Sequence, residues 1–256
     1  MKVLLETKDL TKRFGGIIAN KDINLTIEAG KTTGLIGPNG SGKTTLINQV
    51  SGVLPATAGK TYFQGNDITT LSANRIARLG IGRTFQKIQL FERLTVIENV
   101  LVARRHFYKA NVLDIVFNTR RSRREEQVQR DSAMTLLERF GLESEAQNRP
   151  SALPYGKRRA LEIARALALE PKLLLLDEPA AGMAIEEYSG ILTIMERLKE
   201  EGITMLLVEH TMEFIRRVVD WVYVLNFGEV ISQGVFRDVE KDDAVIKAYL
   251  GGDDAL

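Results

Sequence analysis

The chain has 256 residues, and its 35 Lys and Arg against 33 Asp and Glu leave a formal charge of only +2. Hydrophobic residues make up 44% and charged residues 27%, which excludes a chain that is disordered throughout, and the near balance of charge argues against a protein that coats nucleic acid. Because the chain has no cysteine, disulfides, thiolate metal sites and cysteine nucleophiles are excluded.

Short apolar or β-branched runs alternate with helical patterns near both ends of the chain. The predicted strands are 4–10, 23–27, 32–36, 60–63, 173–176, 204–208 and 221–225. The predicted helices are 42–51, 72–79, 186–200, 212–219 and 244–250. The runs 173–176 and 203–210 lack polar alternation, which is typical of strands buried on both faces of a mostly parallel sheet. We therefore predict an α/β architecture.

The middle of the chain, from about 90 to 169, has helical patterning and little strand signal. Segment 125–141 is predicted to place Val128, Ala133, Leu136, Leu137 and Phe140 on one side of a helix that Gly141 ends. We interpret this region as an α-helical subdomain inserted into the α/β core. The alternative is that these helices simply cover a single domain.

Residues 37–44 read GPNGSGKT, which fits the phosphate-loop pattern between a predicted strand and a predicted helix. Glycines allow the backbone N–H groups to face phosphates, and the helix N-terminus adds its positive dipole. Lys43 is expected to reach the β- and γ-phosphates, and the Thr44 hydroxyl to ligate Mg²⁺. The candidate nucleotide-binding residues of the loop are Gly37, Pro38, Asn39, Gly40, Ser41, Gly42, Lys43, Thr44 and Thr45.

Two further candidates stand where buried strands end. Asp177 and Glu178 follow the run of leucines at 173–176, at the sheet edge where α/β proteins bind ligands. Asp177 suits the Mg²⁺ shell, and Glu178 suits the general base that polarises the attacking water. His210 closes the next buried strand and is placed to contact a γ-phosphate or to orient the water. The alternatives are a helix-capping role for the carboxylates and a structural role for the histidine.

With these motifs in order, the chain resembles the ATP-binding subunit of an ABC transporter over essentially its whole length. Phe14 in KRFGG matches the aromatic residue that stacks on adenine, and Gln86 in GRTFQ matches the glutamine that touches Mg²⁺ and the water. LPYGK at 153–157 stands where the family has its signature loop, and His210 matches the family's switch histidine. The segments RTFQ, LFERLTVIENV and EPAAG resemble the larger ATPase of the branched-chain amino-acid importers.

The resemblance implies a RecA-like P-loop NTPase core with an antiparallel β subdomain and an inserted α-helical subdomain. The core would comprise about 1–88 and 160–240, the helical subdomain about 89–159, and a C-terminal helix and tail 241–256. It also implies ATP and Mg²⁺ as ligands, with Thr44, Gln86 and Asp177 around the metal and Glu178, His210 and Gln86 in catalysis.

Two departures from the family pattern concern the signature loop and the segment after the second carboxylate motif. The family has serine, glycine and glutamine where this chain has Pro154, Tyr155 and Lys157, although Gly156 is retained. The backbone at Gly156 can still bind a partner's nucleotide, and Lys157 is expected to add positive charge there. Ala184 stands where the family often has an aspartate.

The implied function is an ATPase on the cytoplasmic face of the cell membrane that powers import of branched-chain or other hydrophobic amino acids. A second ATPase subunit, identical or paralogous, would pair head to tail with this one, beside two transmembrane permease subunits and, indirectly, a solute-binding protein. No nucleic acid is expected. The alternatives are a urea or short-amide importer, a lipopolysaccharide exporter, a soluble ABC ATPase and a small-molecule kinase.

Charge is unevenly placed along the chain. Residues 104–124 hold seven basic side chains and one acidic one, so this stretch carries +6 and leaves −4 for the rest. Apolar residues are interleaved there, namely Phe107, Tyr108, Val112, Leu113, Ile115 and Val116. We interpret the stretch as an insertion, either a solvated basic loop or a surface that faces the membrane.

Overall fold

The computed structural model describes residues 2–108 and 119–250. Two units divide the chain, and each is taken by itself below. The first comprises Met1–Gln86, Lys172–Ala181 and Leu192–Leu256, and the second comprises Lys87–Pro171 and Gly182–Ile191. The assignment of these units to a nucleotide-binding core and a helical subdomain stays a prediction.

The first unit contains a four-stranded antiparallel sheet with the order β2-β1-β4-β5. Its strands are β1 (Val3–Phe14), β2 (Ile17–Glu28), β4 (Ala58–Phe63) and β5 (Asn66–Asp67). β1 and β2 form a long hairpin in which Phe14 pairs with Ile17. The hairpin therefore ends in a short turn at Gly15 and Gly16. Both strands are longer than the sequence predicted, because polar residues continue the pairing beyond the apolar runs.

A second, six-stranded sheet of this unit has the order β10-β9-β3-β8-β7-β6. Its strands are β3 (Thr32–Ile36), β6 (Ile81–Arg83), β7 (Leu173–Asp177), β8 (Met205–Val208), β9 (Trp221–Asn226) and β10 (Glu229–Gly234). All neighbouring pairs are parallel except β10 and β9. Every residue of β3, β7 and β8 is buried, which confirms the α/β prediction and the reading of strands covered on both faces.

Helices of the first unit surround these sheets. They are α1 (Lys43–Val50), α2 (Ala73–Leu79), α7 (Met212–Val218), α8 (Phe236–Val239) and α9 (Asp243–Leu250). α6 (Ile185–Glu200) starts in the second unit and ends in the first. Leu46, Ile47 and Val50 of α1 are fully buried in a core cluster that includes side chains from both sheets. α1 is thereby fixed directly behind the loop that follows β3.

The second unit is helical in the residues that the structure describes. Its main helices are α3 (Val96–Arg104), α4 (Arg120–Arg139) and α5 (Tyr155–Leu167). A capping box between Thr95 and Glu98 starts α3, as the pattern T-x-x-E favours. The helical subdomain was expected to end at about residue 159, but α5 continues past that residue, and the whole of α5 lies in the second unit.

Over the predicted segment 125–141, the buried face of the helix differs from the predicted one at two adjacent positions, Val128 and Gln129. Ala133, Leu136, Leu137 and Phe140 are buried, as expected, but Val128 is 52% exposed. Gln129 is buried in its place because its side-chain oxygen accepts a hydrogen bond of 2.8 Å from Nε of the buried Arg104. The prediction for Val128 was therefore wrong, since a buried cation required a polar partner on this face.

The remaining differences from the sequence prediction concern three strands. The sequence prediction omitted β5, β6 and β10, which are short or polar and take their conformation from their neighbours in the sheet. Residues of the basic stretch and the tail beyond 250 lie outside the described residues; in the basic stretch these include Lys109, Val112, Leu113, Asp114, Ile115 and Val116.

Among the helices that are described, none combines the length and apolar character needed to cross a membrane.

We predict that Asn99 stabilises the turn before α3. Asn99 is fully buried, its Oδ1 accepts from Phe91 N at 2.9 Å, and its Nδ2 donates to Thr95 O at 2.9 Å and Phe91 O at 3.2 Å. Asn99→Ala should lower the free energy of unfolding by about 1–3 kcal/mol, because the Phe91 N–H loses its partner. Urea denaturation measures this, and the exposed Asn66→Ala should change it by less than about 0.5 kcal/mol.

Candidate functional site

The phosphate loop lies between β3 and α1, as the sequence predicted, and its conformation requires glycine at two positions. Gly37 has φ 145° and Gly42 has φ 103°. A Cβ at Gly37 would overlap the carbonyl oxygen of Leu225, and a Cβ at Gly42 would overlap that of Ala19. The loop backbone therefore passes so close to β9 and β2 that only glycine fits at these points.

Two hydrogen bonds from outside the motif brace the loop. The buried Asn20 donates from Nδ2 to Gly42 O at 3.1 Å. On the other side, Gly228 N in the β9–β10 turn donates to Ser41 O at 3.0 Å. These two bonds use carbonyl oxygens of the loop and none of its N–H groups, although the Ser41 N–H donates within the loop to Pro38 O at 3.2 Å.

The N-terminus of α1 suits an anion. Gly42 gives no side-chain cap, and the first turn contains no acidic residue. The first N–H groups of a helix have no intrahelical partner and carry the positive end of its dipole. A phosphate group therefore fits this end of α1, and Thr44 at its first turn has an exposed side chain.

Lys43 is 5% exposed, and its ammonium is held by the loop itself. Nζ donates to Gly37 O and Pro38 O, each at 2.8 Å. Burial lowers the pKa of Lys43, while the negative charges of Glu178 and Asp177 act in the opposite direction. The lysine is thus placed between the loop and the two carboxylates that the sequence identified.

A cavity of about 520 Å³ opens beside the loop. Its lining comprises Pro38, Asn39, Gly40, Ser41, Asn226, Phe227, Ile231, Ala244, Lys247 and Ala248. The β9–β10 turn therefore reaches this space through Phe227, which is 88% exposed, and the C-terminal helix α9 reaches it through Lys247.

Three of the predicted catalytic side chains meet at Glu178. His210 Nε2 lies 2.9 Å from Glu178 Oε1, and Gln86 Nε2 donates to Glu178 Oε2 at 3.2 Å. Glu178 has φ 49°, a left-handed conformation that is uncommon for a residue other than glycine and is often found at functional sites. Its two carboxylate oxygens are thereby held by different parts of the chain, the end of β8 and the segment after β6.

Asp177, the last residue of β7, is 1% exposed. Nη2 of Arg83 lies 3.5 Å from its Oδ2, and Nη1 of the same arginine donates to Ser51 Oγ at 2.7 Å. Burial lowers the pKa of Arg83, which Asp177 opposes by its charge. Carboxylate, hydroxyl and amide oxygens are ligands that hard cations such as Mg²⁺ prefer, so the side chains of Asp177, Thr44 and Gln86 fit a magnesium ion chemically.

Glu209 is a second buried carboxylate at this edge of the sheet. Its side chain accepts from Ala180 N and from His210 N, each at 3.0 Å. Burial raises the pKa of Glu209, although the backbone donors act in the opposite direction. The carboxyl group therefore connects the segment after β7 with the segment after β8.

Phe14 lies at the end of β1, in the tip of the first hairpin, and is 47% exposed. The ammonium of Lys12 lies 5.1 Å from the centre of its ring. An exposed ring of this kind offers an area on which a planar base can stack.

The signature residues belong to the second unit. Pro154 is the N-cap of α5, and Tyr155 is 40% exposed. Gly156 is buried, and its N–H donates to Glu187 Oε1 at 2.8 Å. The ammonium of Lys157, which the sequence assigned to phosphate, lies 2.8 Å from Glu145 Oε1. The predicted residues thus fall into two groups, one in each unit.

The sequence analysis missed four residues that hold the predicted site residues or their backbone in place: Asn20, Arg83, Glu187 and Glu209. Glu209 carried a usable signal, because it is a carboxylate at the end of a buried strand and directly precedes His210. Arg83 is only three residues before Gln86, but nothing in the sequence pairs it with Asp177. Asn20 and Glu187 contact their partners across long separations that no local pattern shows.

Comparison with known proteins gives consistent results. The family described as ABC transporter matches residues 20–181. The high-affinity branched-chain amino acid transport ATP-binding protein BraF of Pseudomonas aeruginosa is 38% identical over 249 residues, 97% of this chain and 98% of that protein. The crystal structure of the ADP conformation of an ATP-binding cassette of an ABC transporter is similar to this chain, with a TM-score of 0.84 and 33% identity. The match covers 98% of this chain and 100% of that chain. A dimeric cassette bound to ADP and Pi has a TM-score of 0.76 at 28% identity, with 91% and 99% covered.

We predict that Glu187 slows amide hydrogen exchange in the first turn of α5. The Gly156 N–H has no intrahelical partner at this position, so its protection from exchange depends on the Glu187 carboxylate. Glu187→Ala should remove about 1 kcal/mol of local stability and speed hydrogen exchange of this amide roughly fivefold. Exchange mass spectrometry of the peptide around 153–160 measures it. Glu200→Ala, an exposed site at the end of α6, serves as the control, and equal rates in both variants would contradict the prediction.

Proposed function

This chain belongs to the ABC transporter family, and from that premise we propose that it binds and hydrolyses ATP to power solute import, with branched-chain or other hydrophobic amino acids as cargo. One observation carries the ATPase part of this proposal. Gln86 and His210 converge on the carboxylate of Glu178, which lies in the same unit as the phosphate loop and Lys43.

Nucleotide would be held by the parts of the first unit already described. Phe14 would offer its exposed ring to adenine, and N–H groups of the loop and of the first turn of α1 would bind the phosphates. Lys43 would exchange its present carbonyl acceptors for phosphate oxygens. Mg²⁺, when bound by Thr44, Gln86 and Asp177, supplies neutralisation of phosphate charge.

Hydrolysis requires a base that takes the proton of the attacking water. Glu178 has this role in the proposal: it accepts the proton as the water oxygen bonds to the γ-phosphorus and the bond to the β-phosphate oxygen breaks. His210 and Gln86 hold the two oxygens of this carboxylate and so fix its direction. A base of this kind is worth about 10²–10⁴-fold in rate, or about 3–5.5 kcal/mol of barrier.

A head-to-tail pair of cassettes would complete each site. In this arrangement the loop Pro154, Tyr155, Gly156 and Lys157 of one subunit closes over nucleotide held by the other. The dimeric relative bound to ADP and Pi supports pairing. Proline replaces the hydroxyl residue of the family and Ala184 replaces its aspartate, so in our proposal the partner's nucleotide is bound mainly by the backbone of α5's first turn. The Gly156 N–H would then exchange its present acceptor, Glu187 Oε1, for a phosphate oxygen.

The cargo and membrane partners are inferred from the relatives. BraF is named as an ATP-binding protein of high-affinity branched-chain amino acid transport, and it matches almost the full length of this chain. We therefore place this chain on the cytoplasmic face of the cell membrane, bound to two permease subunits, with a solute-binding protein acting indirectly. The second ATPase subunit is an identical or paralogous cassette.

Glu178→Gln should bind ATP with unchanged affinity and lose at least 100-fold in hydrolysis, because the amide cannot take the proton of the water. The variant should also accumulate as a dimer with ATP, which size-exclusion chromatography detects. Glu143→Gln, an exposed site in the second unit, serves as the matched control. Hydrolysis by Glu178→Gln near the parent rate would refute its role as the base.

The partner proposal predicts a specific composition for the native complex. A tagged chain, purified from its own membranes in mild detergent, should retain two polytopic membrane proteins, identified by mass spectrometry. In proteoliposomes, leucine, isoleucine or valine with a binding protein should stimulate ATP hydrolysis, whereas urea should not. Recovery of ribosomes alone, or stimulation by urea alone, would contradict the proposed function.

A further inference from the structure

Glu209 is a buried carboxylate that the proposed catalytic steps do not use. It directly follows β8 and directly precedes His210, and it is 3% exposed. A carboxylate at such depth loses its hydration, and that loss has to be offset by donors. The identity of these donors indicates what the residue does.

In the part of the chain that the structure describes, the donors to Glu209 are backbone N–H groups of two segments that border the site. Ala180 N, two residues beyond Glu178, donates to Oε1 at 3.0 Å. His210 N donates to Oε2 at 3.0 Å, and Thr211 N lies 3.5 Å from the same oxygen. One side chain therefore ties the backbone on both sides of the Glu178–His210 pair.

The same two segments are joined at two further points. Glu178 N donates to Val208 O at 3.0 Å, which continues the pairing of β7 with β8 by one residue. His210 Nε2 and Glu178 Oε1 then make the 2.9 Å contact between side chains. Glu209 supplies the link beyond the end of the sheet, where backbone pairing has stopped, because its carboxylate accepts from both Ala180 N and His210 N.

We propose that Glu209 is a positioning residue for ATP hydrolysis, which holds the backbone of His210 and Ala180 so that the imidazole of His210 stays in contact with Glu178. The inference rests on the proposed function. It separates two properties of the protein: nucleotide affinity depends on the phosphate loop and Phe14, whereas turnover depends on the alignment that Glu209 maintains.

Glutamine at this position tests the geometry with little change in volume. A carboxylate accepts with both oxygens, but an amide accepts with one and presents an NH₂ group to the other backbone donor. Glu209→Gln must therefore release either Ala180 N or His210 N. A displacement of about 1 Å at a catalytic group can cost about 100-fold in rate.

The experiment compares the full-length parent with Glu209→Gln, His210→Ala and the double variant. Glu209→Gln should bind a fluorescent ATP analogue within twofold of the parent and lower kcat at least tenfold. If Glu209 acts through His210, the double variant should have a kcat within twofold of His210→Ala alone. Glu213→Gln, an exposed carboxylate in the first turn of α7, should leave both quantities unchanged.

Three results would overturn the inference. A kcat within threefold of the parent would show that the alignment does not need the carboxylate. Loss of nucleotide binding together with kcat, or loss of folding, would assign Glu209 a purely structural role. Multiplicative losses in the double variant would show that it acts independently of His210. A parent that does not hydrolyse ATP refutes the proposed function instead, so the two failures are distinguishable.

Discussion

The pairing of β7 with β8 is the constraint on which the rest of the site depends. Both strands are apolar at almost every position and buried on both faces, so a slip of one residue would still bury leucine on each side. The hydrophobic pattern therefore specifies this register weakly. Hydrogen bonds at the strand ends select it: Glu178 N donates to Val208 O, and Ala180 N donates to Glu209 Oε1. The polar groups that select the register are also those that place Glu178 against His210.

The N-termini of α1 and α5 differ in whether a carboxylate of the protein contacts their positive end. α1 has no acidic residue in its first turn and no side-chain cap, so its positive end is left for an anion from outside. The first turn of α5 also lacks an acidic residue of its own, but Glu187 of α6 contributes a carboxylate to Gly156 N. The same element of secondary structure is thus prepared for a ligand in one unit and bonded internally in the other.

The sequence predicted those elements whose formation depends on local pattern. The buried runs of β3, β7 and β8 and the amphipathic helices are visible because apolar residues repeat with a fixed period or fill a short run. β6 and β10 are short or polar, and they extend because a neighbouring strand offers hydrogen bonds. Val128 was placed on the wrong face of α4 because the periodicity could not show that Arg104 would be buried and would recruit Gln129.

By itself, the sequence determined the family resemblance, the phosphate loop, and the identity of Glu178, His210 and Gln86 as candidates, because each stands in a recognisable local context. Only the tertiary structure brought those three side chains together, since they are separated by 92 and 32 positions along the chain. It also supplied Arg83 for Asp177, Asn20 for the loop and Glu209 for the strand ends. Such contacts depend on which backbone and side-chain groups lose water in the fold, and burial of this kind is not encoded in any short segment.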